Sequence, residues 1–183
     1  MLNRITKVDI HGGPYGLGEI IAEKDLSPDD WYFPCHFRDD QVLAGSLQAE
    51  GGGNLLRFFM MMLGLQRLKK DARFQPIFGL QQKVRCRKEV TPTDKKLVYR
   101  LVIKDIGLLP DPYVIGDLEI IVDGVITVHF ANLGLQLREK DNPRYLEKPK
   151  KVTENVLLNE TDIETFALGR LADCFGPEYA VYD

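Results

Sequence analysis

Apolar and polar residues fall into two kinds of pattern along this chain. "RITKVDI" at 4–10 and "GEIIAEKDL" at 18–26 read as short strands, closed by the Gly/Pro loop "HGGPYGLG" and by "SPDD" respectively. The run "LLRFFMMMLGL" at 55–65 holds no β-branched residue and reads as helix. Four β-like runs follow, at 77–90, 96–106, 113–122 and 125–137. In the first of these, Val84, Cys86 and Val90 alternate with charge, as in a sheet with one wet face. Asp123-Gly124 between the last two is a strong hairpin signal. Gly134 marks a candidate bulge in the long final run.

The order is therefore two strands, one helix that looks apolar on every side, then four antiparallel strands. An α+β fold with one long central helix wrapped by a single curved antiparallel sheet is the economical way to bury such a helix. After about residue 140 the composition shifts to "REKDNPRYLEKPKKVTENV", charged and proline-containing like a linker. Within that extension, 160–174 has the spacing of a short helix, with Thr161 as N-cap and Glu164 three residues on.

Composition removes several classes of function. The chain has 183 residues, 44% of them hydrophobic, and a net charge of −3, which offers no basic field for nucleic acid. Cys35, Cys86 and Cys174 are scattered without a CxxC pair, and the histidines are only His11, His36 and His129, so no metal site is signalled. The start lacks a signal-peptide pattern, and the greasiest segment is too short to span a bilayer. The expected setting is cytoplasmic.

Candidate chemistry gathers in "FPCHFRDDQVLAGSLQAEGGGNLLRFFMMMLGL", residues 33–65. His36 lies on an extended approach to the helix, and Gly45-Ser46 marks the helix start, with Ser46 as candidate N-cap. Glu50 and Asn54, four apart, share a helical stripe with Leu47 and Phe58. An acid on a fully buried helix must be paired or neutralised, while the helix N-terminus favours its ionised form. A nearby histidine makes the two a candidate pair for proton transfer. The bland readings stay open: a core histidine, a solvated dipole partner, and a glycine loop at 51–53 with the helix starting at Asn54. Glycine in a helix costs about 1 kcal/mol each relative to alanine. That cost makes sense if a backbone or a slim ligand must pass close by.

The spacing "HF…D.V..G.L…E", with Glu50 fourteen positions after His36, resembles the active-site segment of 3-hydroxyacyl-acyl carrier protein dehydratases. "WYFPCHF" and "YVIGDLEIIVDG" resemble in particular the dehydratase domains of polyunsaturated fatty acid and polyketide-type synthases. The resemblance covers roughly residues 1–140 and implies a hot-dog fold, leaving 141–183 as a C-terminal extension. The ending "CFGPEYAVYD" looks like a connector toward a following domain.

By that resemblance His36 and Glu50 are the catalytic pair. His36 takes the proton next to a thioester and protonated Glu50 assists the departing hydroxyl, or His36 serves both steps in turn. Gly45 donates its backbone N–H to the thioester carbonyl, the Val42 carbonyl holds the histidine ring, and Asn54 stands where a Gln supports the acid. The usual Pro-Gly is Ala44-Gly45 here, and "RDD" replaces the usual glycine after "HF". The resemblance further implies no cofactor beyond the phosphopantetheine carrying the substrate. The partners it implies are an acyl carrier protein and a second hot-dog unit, either a homodimer partner or a neighbouring domain. Arg57, Arg67, Lys69 and Lys70 are candidate attractors for an acidic carrier, the last three equally explained as helix-end cations. A hot-dog thioesterase, and a non-catalytic hot-dog domain completing a dimer, are the competing readings.

Overall fold

The middle of the sheet is the strand whose residues alternate most regularly between buried and half-buried. The computed structural model describes residues 2–139 and, beyond them, isolated positions at 165, 169, 170, 172, 173, 177 and 180. Strands β1 (Arg4–Asp9), β2 (Glu19–Asp25), β3 (Ala72–Pro76), β4 (Lys83–Cys86), β5 (Lys96–Gly107), β6 (Tyr113–Val122) and β7 (Val125–Glu139) form one antiparallel sheet. Their order is β1-β2-β5-β6-β7-β3, with β4 also on β7. Every second residue of β6 is buried, with Val114, Leu118, Ile120 and Val122 facing inward. Asp123 and Gly124 both have positive φ (49° and 84°), the twist a two-residue hairpin between β6 and β7 requires.

Helix α2 (Gly45–Met62) crosses the inner face of this sheet and buries Leu55, Leu56, Phe59 and Met60. Each such side chain stabilises the fold by about 1.5–3 kcal/mol through removal from water. A helix laid against one curved sheet is the arrangement the sequence pattern anticipated and the hot-dog fold that the family resemblance implied. Contacts divide the chain into units 1–140 and 141–183. The helix expected at 160–174 and its Thr161 cap fall outside the described residues, apart from isolated positions.

Several local expectations are corrected. The run 77–90 is not one strand: Pro76 ends β3, a turn with Gly79 at φ 76° follows, and β4 holds only four residues. All four are exposed, Val84 included, because β4 lies along the outer side of β7 and covers no core. Gly134 pairs regularly with Ile115, and the register shifts fall instead between Gly116 and Leu118 and between Ile120 and Ile121. What Gly134 provides is room, since a Cβ there would lie 2.9 Å from Ile77 Cδ1 and closer still to Leu80. The approach to α2 is not extended either, because Tyr32–Cys35 forms a single helical turn, α1.

Candidate active site

His36 directly follows α1, whose Tyr32 and Phe33 are buried and fix that turn in the core. The Tyr32 hydroxyl donates to Asp30 Oδ2 at 2.5 Å, which also ties the turn to the loop after β2. From His36 the chain doubles back over six residues. The Val42 N–H donates to the His36 carbonyl at 2.8 Å, and His36 Nδ1 lies 3.2 Å from the Val42 carbonyl oxygen. A carbonyl only accepts, so Nδ1 carries a hydrogen, and in the neutral imidazole the lone pair then lies on Nε2. The Phe37 ring stacks on the imidazole at 4.0 Å, and the Leu43 N–H bonds Val90 O at 2.7 Å, anchoring the loop beside the segment after β4.

Helix α2 begins at Gly45 immediately after this loop. Ala44, not Ser46, occupies the N-cap position, and no side chain caps the helix. The first-turn amides of Gly45 and Ser46 therefore have neither an intrahelical acceptor nor a capping oxygen, and they carry the positive end of the helix dipole. A Cβ on Gly45 would meet nothing within 4 Å, so this end of the helix faces open space. Gln48 is buried beneath it and donates Nε2 to the Leu43 carbonyl at 3.0 Å.

The helix is not apolar on every side. Glu50, Phe58, Met61 and Met62 are exposed along one stripe, with Leu47, Asn54 and Arg57 half-buried between them. Glu50 therefore escapes the desolvation a fully buried helix would impose. Its Oε1 accepts a hydrogen bond from Arg57 Nη1 at 2.9 Å, and the same nitrogen reaches Asn54 Oδ1 at 2.6 Å. Asn54 thus meets the acid through Arg57: its Oδ1 accepts from the nitrogen that also donates to Glu50.

The glycine run is helical, not a loop, and its explanation lies on the sheet side. A Cβ on Gly51 would sit 2.7 Å from the Tyr99 hydroxyl, and one on Gly52 would collide with Leu118 and touch Leu133. Two of the three glycines let α2 settle onto β5, β6 and β7. Gly53 differs, because a Cβ there would meet nothing within 4 Å. Tyr99, wholly buried, has its phenol pushed upward by desolvation, and its hydroxyl has no hydrogen-bond partner.

The structure thus joins His36 to Val42 and sets both in the loop that leads into Gly45. It links Glu50 to Asn54 through Arg57, and no hydrogen bond or ion pair joins His36 to Glu50. Sequence reasoning took Arg57 as a carrier attractor and missed its place between Glu50 and Asn54. The helical spacings of three and seven residues were the available signal. His129 lies on β7 opposite Glu119 of β6 and Arg85 of β4, away from the helix, and His11 is in the loop after β1. Among the described residues no group of three or more His, Cys, Asp or Glu is placed to hold a metal, and no helix is long and apolar enough to cross a membrane.

One helix laid against a curved antiparallel sheet, with a pinned histidine beside an uncapped helix start, is the arrangement the site presents. The chain belongs to the FabA-like domain family, whose pattern matches residues 1–131. It is 47% identical over 123 residues to one of the polyunsaturated fatty acid synthase subunits of Thraustochytrium sp. (strain ATCC 26185 / S-3). That match takes in 66% of this chain and 8% of the much longer relative. Among solved structures, gentisyl-coenzyme A thioesterase BH1999 is 12% identical with a TM-score of 0.45, over 65% of this chain and 88% of that one. AziG of S. sahachiroi is 12% identical with a TM-score of 0.44, over 64% and 82%.

Proposed function

We propose that the chain dehydrates 3-hydroxyacyl thioesters carried on the phosphopantetheine arm of an acyl carrier protein, giving 2-enoyl thioesters for fatty acid or polyunsaturated fatty acid synthesis. The observation that carries this reading is the fixed His36 ring: Nδ1 against the Val42 carbonyl, Nε2 bare, and the uncapped amides of α2 following in the same loop. A base and an array of donors are what removal of a proton next to a thioester demands.

In this reading the thioester carbonyl accepts from the Gly45 N–H, so negative charge developing on its oxygen meets the positive end of α2. His36 Nε2 takes the proton from the carbon beside the carbonyl. The electron pair of that C–H bond forms the new double bond, and the neighbouring C–O bond breaks. His36 returns its proton to the departing oxygen, so water leaves and the imidazole is restored. Glu50 orients that hydroxyl. The Arg57 contact favours this route over proton donation by Glu50, because a carboxylate already accepting from a guanidinium is suited to accept from the substrate hydroxyl as well. The open stripe of α2 around Glu50 suits a second hot-dog unit, of this chain or of a neighbouring domain, that completes the site.

Incubation with a 3-hydroxyacyl pantetheine thioester tests the reading. Growth of enoyl-thioester absorbance that His36→Ala abolishes is the expected result. Release of free thiol without enoyl product overturns it in favour of a thioesterase.

A further inference from the structure

Helix α2 contains one acid, Glu50, and one base, Arg57, two turns apart on the stripe shared with Leu47, Phe58 and Met61. Their side chains are 50% and 36% exposed. Exposed pairs of this kind add little to stability, because water competes for both charges and two long side chains must be ordered. Stability therefore gives no reason for three side chains to share one array. Yet Arg57 Nη1 bonds Glu50 Oε1 at 2.9 Å and Asn54 Oδ1 at 2.6 Å, and the second bond fixes the donor that the first depends on.

We propose that Arg57 is a positioning residue that acts through Glu50, an inference that rests on the dehydratase reading above. A carboxylate on an open helical surface turns freely about its side-chain torsions. Held at Oε1 by Arg57, it presents Oε2 in one direction, the one left for a substrate hydroxyl. The apolar neighbours matter as well. When an acyl chain or a second fold covers Leu47, Phe58 and Met61, Glu50 loses water, and an unpaired carboxylate under such a cover is costly. Arg57 supplies the opposite charge beforehand, and Asn54 keeps it in place. Arg57 touches neither the reacting carbons nor the thioester.

A double-mutant cycle with kcat and KM measured separately tests this, using wild type, Arg57→Ala, Arg57→Lys, Glu50→Gln and the Arg57→Ala/Glu50→Gln pair. Arg57→Ala lowers kcat about 10- to 100-fold, the scale expected for loss of orientation, with KM changed by less than about two-fold. Arg57→Lys recovers part of the loss, since an ammonium can still pair with Glu50 without the guanidinium's planar reach. In the Glu50→Gln background, Arg57→Ala has no further effect. An Arg57→Ala enzyme within about two-fold of wild type, or one whose loss persists in full beside Glu50→Gln, overturns the inference. Failure of the dehydratase reading is seen separately, as a wild type without enoyl product or a fully active His36→Ala. In that event crystal structures decide: Glu50 keeping one direction in Arg57→Ala overturns the positioning role, and Glu50 spread over several rotamers supports it.

Discussion

The two faces of α2 are built from the same eighteen residues to opposite ends. On the sheet side, Gly51 and Gly52 bring the backbone against Tyr99 and Leu118, and Leu55, Leu56 and Phe59 are wholly buried. On the open side, Glu50, Asn54 and Arg57 are tied together among Leu47, Phe58 and Met61. The first face stabilises the fold and leaves no side chain free to do chemistry. The second contributes little stability and holds the carboxylate that the proposed chemistry uses. Substitutions that separate stability from activity should therefore sort by face.

The sharpest break is His36→Ala, just ahead of the helix. Activity should fall by about 10²–10⁴-fold, the usual contribution of a positioned acid–base group, while the melting temperature barely moves. Phe59→Ala should do the reverse, costing about 3–5 kcal/mol in denaturant unfolding through the cavity it leaves. Gly52→Ala and Gly53→Ala sharpen the comparison within one helical turn. At Gly52 the added methyl meets Leu118, so overpacking of about 1–3 kcal/mol should outweigh the gain in helix propensity. At Gly53 the methyl meets open space, and the variant should be more stable by about 0.5–1 kcal/mol. Equal and same-signed shifts in the two midpoints would end the claim that the faces differ.

The smallest effect concerns pH and belongs to the sheet's outer side. Lys7 and then Arg100 hold the Glu19 carboxyl below its ordinary value of 4.5, outweighing desolvation. Its unfolded-state value is the higher one, so the unfolded chain binds this proton first as pH falls. The stabilisation is full above about 4.5 and is lost as pH drops through the depressed folded value. Glu19→Gln should flatten that part of the stability–pH curve. An unchanged acid slope would show that the Lys7–Glu19–Arg100 array is not what weakens there.

Much of the scaffold was legible because burial writes a period into sequence. The centre of β6, Asp117 to Ile120, alternates polar and apolar residues, and the Asp123-Gly124 turn carries its own geometry. β3 lies before the 77–90 run and was not read as a strand, and only four residues of that run form β4: the two are short, pair along the edge of β7 away from β6, and carry charges where a buried strand would carry aliphatics. α1 was missed because four residues are too few to show a helical period. In the site, the helical spacing of Glu50 and Asn54 was readable. Reading the helix as buried all round hid Arg57, because that reading leaves no open face on which a guanidinium would pair.

The sequence by itself determined one apolar helix between strands, the hairpin at Asp123-Gly124, and the presence of His36, Glu50 and Gly45 at family-like spacing. Tertiary structure alone decided which side of α2 is sealed, why Gly51 and Gly52 carry no side chain, and that Arg57 joins Glu50 to Asn54. Local pattern follows from the periods of helix and strand, which neighbours in the chain share. A Cβ that would strike Leu118 depends on how separate elements come to rest against each other.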